Sequence, residues 1–126
     1  MPHHVSKSTF AELVELAISE LPEPFAGALD EMAIEIRDHP TREQLKSLGL
    51  RSRDLLLGLY QGRPRTERSV EDAWRIPDVI YIFQENVELV SQSEAELVQQ
   101  VRTTVLHEIG HHFGMSEQDL NELGYG

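Results

Sequence analysis

Apolar residues return every three or four positions from Phe10 through Leu13, Val14, Ala17 and Ile18 to Leu21, which lines one face of an α-helix that Pro22 stops. Thr9, with Glu12 three residues on, offers a capping box for its start. After a short turn of helix or loop over 25–31 the period changes to two. Met32, Ile34 and Ile36 alternate with Glu35 and Arg37, a strand with one wet face that Asp38-His39-Pro40 closes. The run Leu55–Tyr60, ended by Gly62 and Pro64, and the Val, Ile, Tyr and Phe-rich run Asp78–Gln84 predict two more strands.

A longer pattern follows. Leu97, Val98, Val101, Val105, Ile109 and Phe113 recur at helical spacing, Ser91 or Ser93 stands at the start with Glu94 or Glu96 three residues on, and the helix is predicted over 94–113. Gly114 occupies the place of a left-handed C-terminal residue, and Ser116 with Asp119 caps one last short helix ending at Gly124. Helix, strands, long helix, short helix is an α+β order, not βαβ repetition.

The chain has 126 residues, 40% hydrophobic and 26% charged, with no internal repeat or Ser/Gly-rich linker, so 1–126 reads as a single domain. Its 11 basic and 22 acidic residues give a net charge of −11, a surface that repels a phosphate backbone, and no nucleic-acid partner is expected. The start MPHHVSKSTF has no signal-like apolar stretch and no apolar run is long enough for a bilayer, so a soluble cytoplasmic protein without a membrane partner is expected. With no cysteine there is no thiolate site, and any metal must be held by His, Asp or Glu.

That restriction gives weight to His107-Glu108-Ile109-Gly110-His111, an HExxH motif late in the long amphipathic helix. Residues four apart lie one above the other, so both imidazoles can converge on one ion, while Glu108, about 100° around the helix, stands beside that ion as a general base. The bland alternative is a pair of helix-surface histidines and one more solvated acid. Gly110 costs a helix interior about 1 kcal/mol relative to Ala, for close helix packing or for room beside a substrate or strand.

The eight residues His107 to Gly114 follow HExxHxxG, and the chain resembles the zincin metallopeptidases, whose pattern continues to an acidic or histidine third ligand three residues after the glycine. HEIGHHFGMSEQDL in a chain of this size is similar to the mini-zincins, small bacterial proteins with a minimal matrix-metalloprotease-like fold. The acidic helical start, LLLGLYQGRPRTERS and the strand after it extend the resemblance, more weakly, over most of the chain. The resemblance implies a minimal zincin-like fold, in which a small sheet of about three strands packs on the N-terminal helix and the HExxH helix. It also implies one Zn2+ per chain with His107, His111 and Glu117 as ligands, Glu108 as general base and Gly114 as the turn glycine. Many such proteins carry Asp at the third position; Glu is one methylene longer, which leaves Asp119 as a competitor. Both acids also have ordinary uses, Glu117 in the first turn of the last helix and Asp119 as its capping-box acid. Only nine residues follow Glu117 in this sequence, so the methionine turn and specificity pocket of matrix metalloproteases are not expected here, and Met115 inside the motif does not replace them.

Three protein ligands leave a position for a water whose pKa the ion lowers toward about 7; Glu108 takes its proton, and the hydroxide attacks a peptide carbonyl. A zinc-dependent metallopeptidase acting on a peptide or protein substrate is the leading expectation. The alternatives are a zinc-binding protein with a latent or vestigial site, serving as a binding module or needing a partner, and a structural metal held by Glu117 and Asp119. Among weaker candidates, His112 is a packing or supporting residue before it is a ligand, and Tyr125 could swing toward a developing oxyanion. Trp74 with Arg63, Arg65 and Arg68 marks a loop, His39 reads as turn chemistry, and His3 and His4 as incidental.

Overall fold

Ser6, not Thr9, opens the first helix. In the computed structural model, which describes residues 2–51, 55–62 and 78–123, α1 spans Lys7–Ser19 and Ser6 Oγ accepts the Thr9 N–H at 3.1 Å. Thr9 is thus the third residue of the helix, and its hydroxyl accepts from Ser6. Both residues are good caps; with Ser6 as the cap the helix gains one N-terminal turn ahead of its buried face, Phe10, Val14 and Ala17. Residues 25–31 form α2 (Phe25–Ala28) and a 3-10 turn (Leu29–Glu31) before β1 (Met32–Arg37), the expected strand.

Three differences from the sequence reading follow from short elements. Helix α3 (Arg42–Ser47) buries only Leu45, too little to show a period, and its local signal is the Thr41/Gln44 capping box. The strand β2 is Gly58–Gln61, three residues later than the apolar run Leu55–Tyr60, although Leu57 O still accepts the Phe83 N–H at 3.0 Å. The strand β3 is Asp78–Phe83, and Gln84, expected to end it, instead begins α4 (Gln84–Leu89) with no intervening loop. The long helix α5 is Glu94–His112 with Ser93 as cap, since the Ser91 hydroxyl is buried and donates to Val87 O. Helix α6 is Glu117–Glu122, opened by the predicted Ser116/Asp119 box; Gly124 lies outside the described residues.

The sheet order is β1-β3-β2, with β1 parallel and β2 antiparallel to the central strand. The sequence of β3, DVIYIF, is almost continuously apolar because both of its faces are covered: Ile80 and Ile82 are buried on one, Val79 and Phe83 on the other. Ile80 and Ile82 join Phe10, Val14 and Ala17 of α1 and Leu97, Val101, Val105 and Ile109 of α5 in one core. This α+β arrangement, a small mixed sheet on α1 and α5, is a minimal zincin-like fold. It leaves β2 as an edge strand beside the C-terminal half of α5. No helix among the described residues is long and apolar enough to cross a membrane.

Candidate metal centre

Helix α5 ends in a turn that its sequence specifies. Phe113 is the C-cap, Gly114 follows at φ +77°, and the N–H groups of Gly114 and Met115 donate to His111 O (3.0 Å) and Gly110 O (2.9 Å). This double pairing needs a left-handed residue just past the helix, which glycine adopts without a Cβ penalty. The chain reverses there and α6 folds back. Leu120 of α6 is fully buried against Gly110, where an added Cβ would lie 2.3 Å from Leu120 Cδ2. Close helix packing therefore accounts for Gly110, the choice the sequence left open.

That packing brings Glu117, the first residue of α6, beside the two histidines. Its Oε2 is 3.2 Å from His107 Nε2 and its Oε1 is 3.0 Å from His111 Nε2. The two imidazoles, one helical turn apart, meet edge to face with centroids 5.0 Å apart. Donor atoms bound at about 2.1 Å around a tetrahedral zinc ion stand about 3.4 Å apart, so both N···O separations fall within a few tenths of an ångström of that spacing. Two imidazoles and a carboxylate also form one of the donor sets of catalytic zinc, and the residues present fit the ion. Asp119 is engaged elsewhere: its carboxylate accepts the Ser116 N–H at 3.0 Å and its N–H donates to Ser116 Oγ at 3.1 Å. These bonds to Ser116 hold its carboxyl below the usual range.

Glu108 is the second carboxylate here. Ligand atoms of His107, Glu108 and His111 all lie within 4.8 Å of one another. Yet Glu108 Oε1 accepts the backbone N–H of Tyr60 at 2.7 Å, while Oε2 remains 3.9 Å from His107 Nε2. Burial pushes this carboxyl above the usual range; the Tyr60 N–H, His107 and His111 pull it down without prevailing, and Glu117 pushes it further up. The centre thus contains an exposed carboxylate, Glu117 at 65%, within 3.2 Å of both imidazoles, and a buried one tied to the sheet.

His112 turns away from this centre, with Nδ1 3.2 Å from Asp78 Oδ2 and 3.3 Å from Tyr60 Oη. Tyr60 and Asp78 were not singled out from the sequence, because their role depends on strand pairing between distant segments. The one local signal is Gly58: a glycine within a strand marks a close backbone approach, and a Cβ there would lie 2.4 Å from Thr104 Cγ2 of α5. His4 pairs with Glu88 at 3.1 Å, and His39 Nδ1 contacts Pro40 O within the turn. Trp74, Arg63, Arg65, Arg68 and Tyr125 lie outside the described residues.

A cavity of about 360 Å³ opens over the centre, where Leu48, Leu56 and Leu59 face His107, His111 and Glu117. A second of about 240 Å³ continues past Leu56, His107 and Glu108 toward Gly58 and Thr104.

A family model described as zincin-like metallopeptidase matches residues 29–126. Among solved structures, a conserved hypothetical protein from Thermus thermophilus is similar in fold, with a TM-score of 0.57 at 23% identity over 86% of this chain and 94% of that one. No curated protein matches the chain.

Proposed function

The chain belongs to the zincin-like metallopeptidase family, and from that premise we propose that it is a zinc-dependent peptidase in which His107, His111 and Glu117 hold one zinc ion and Glu108 is the general base. The observation that carries this reading is the contrast between the two carboxylates: Glu117 reaches both imidazoles, whereas Glu108 is anchored through one oxygen and keeps the other facing them.

Each side chain then has a separate task. His107 and His111 present imidazole nitrogens from one helix face, and Glu117 adds the negative charge that favours a divalent cation. When bound, zinc supplies a Lewis acid that polarises a carbonyl and makes water more acidic. Glu108 Oε2 is placed to take a proton from the attacking water and return it to the leaving amine, because Oε1 is held by the Tyr60 N–H and Oε2 is left facing the imidazoles. The apolar walls at Leu48, Leu56 and Leu59 limit water around the reacting groups and favour an apolar side chain next to the cleaved bond.

Zinc-loaded protein incubated with a broad peptide library should cut discrete bonds. Glu108→Gln should lower the rate at least about 100-fold while zinc content stays the same. Absence of cleavage by zinc-loaded protein would contradict the peptidase and favour a zinc-binding module. Cleavage that survives in Glu108→Gln would remove Glu108 from its role.

A further inference from the structure

The phenol of Tyr60 has no part in the chemistry described above, yet the same residue touches α5 at two points. Its backbone N–H donates to Glu108 Oε1 at 2.7 Å, and its Oη lies 3.3 Å from His112 Nδ1. Glu108 and His112 are four residues apart and therefore neighbours on one stripe of α5. The phenol donates to Asp78 Oδ2 at 2.6 Å, and Asp78, at the start of β3, is buried to 3% exposure. The Tyr60 and His112 rings also meet edge to face at 5.8 Å.

Strand pairing explains why the Tyr60 N–H is available. Phe83 N–H bonds Leu57 O directly opposite, so in the β2/β3 register the bonded pairs are Leu59 with Tyr81 and Gln61 with Val79. Tyr60 lies opposite Ile80 in the pair that exchanges no bond, and its N–H points off the sheet edge. Gly58, two residues earlier, lets that edge approach α5 because no Cβ meets Thr104.

We propose that Tyr60 is a positioning residue for the general base: the Asp78–Tyr60–His112 cluster clamps the β2 edge onto α5, so that the Tyr60 N–H holds Glu108 Oε1 and leaves Oε2 turned toward the imidazoles. The role of Glu108 in this statement rests on the peptidase reading; the clamp itself does not. Removing the phenolic oxygen frees the strand edge, and Glu108 loses its fixed orientation while both histidines and Glu117 stay in place. This is support of a reacting group by residues behind it, for which losses of about 10 to 100-fold are usual.

The test is amide hydrogen exchange on the full-length protein together with kinetics. In Tyr60→Phe and Asp78→Ala the Tyr60 amide should exchange at least about tenfold faster, while the Gln61 amide, bonded to β3, keeps its rate. Asp78→Asn, which retains an acceptor for the phenol, should restore much of the protection. With zinc bound, Tyr60→Phe should lower kcat about 10 to 100-fold with KM and zinc affinity within about twofold. Unchanged Tyr60 exchange in both variants, or equal acceleration at Gln61 and throughout β3, would overturn the clamp. If no peptide is cut by any form, the peptidase reading fails, and selective exchange at Tyr60 still supports the clamp.

Discussion

Among the described residues two glutamates are almost removed from solvent, Glu88 at 4% and Glu108 at 9% exposure, and each accepts a backbone N–H from a segment distant in sequence. Their carboxyls are nonetheless pushed in opposite directions. Burial raises Glu88, but the Val5 N–H, the Gln84 amide and His4 outweigh it and hold the group below the usual range. Glu108 has the Tyr60 N–H on one oxygen, and there burial prevails. Glu88 has partners on both oxygens, at 2.9 Å and 3.1 Å on Oε2 and 3.1 Å on Oε1, and ties residues 3–5 to α4. Glu108 keeps an oxygen facing two imidazoles. Depth of burial and number of donors therefore act together: Glu108 lies deeper and has fewer donors, and Glu88 lies nearer the surface with donors on both oxygens.

Substitution should separate the two sharply. Glu88→Ala leaves the Val5 N–H and the Gln84 amide without their acceptor and should cost about 2–3 kcal/mol in denaturant unfolding at pH 7. Gly110→Ala forces buried Leu120, and α6 with it, away from α5 and should cost about 1–3 kcal/mol. It should also weaken zinc binding, because Glu117 moves with α6, which isothermal titration would read.

The amide isosteres give the smaller and most telling pair. A carboxyl lowered on folding contributes stability that is present above its unfolded pKa and lost as pH falls through the folded one. The deficit of Glu88→Gln should thus be full at pH 7 and close below about pH 4. A carboxyl raised on folding contributes stability that is present below its unfolded pKa and lost as pH rises through the folded value. Metal-free Glu108→Gln should therefore be more stable than the parent at pH 7, with a higher Tm, and the gain should vanish in acid. A loss for Glu108→Gln as large as that for Glu88→Gln would erase the distinction.

What the sequence revealed, and what it hid, follows the range of the interactions. Helix α5, its Ser93 cap, the Gly114 turn and the Ser116/Asp119 box are local and could be read directly, as could the pairing of His107 with His111 one turn on. The choice of Ser6 over Thr9 has no local signal, because both are good N-cap residues. Helices α3 and α4 are too short to display a period, and β2 begins three residues late because the exposed Leu55 gave the run an apolar look without belonging to the strand. The reach of Glu117 depends on Leu120 docking at Gly110, and the Tyr60 bond on the register between β2 and β3. Neither has a sequence pattern of its own beyond a lone glycine.

The central claim is that two imidazoles of α5 and the first residue of α6 make one zinc site. Zinc bound per chain, measured on dialysed parent protein, Glu117→Ala and Asp119→Ala under identical free zinc, tests it most directly. The account predicts about one zinc for the parent and for Asp119→Ala, and affinity at least about tenfold weaker for Glu117→Ala. Full occupancy in Glu117→Ala, or loss of zinc in Asp119→Ala alone, would contradict it.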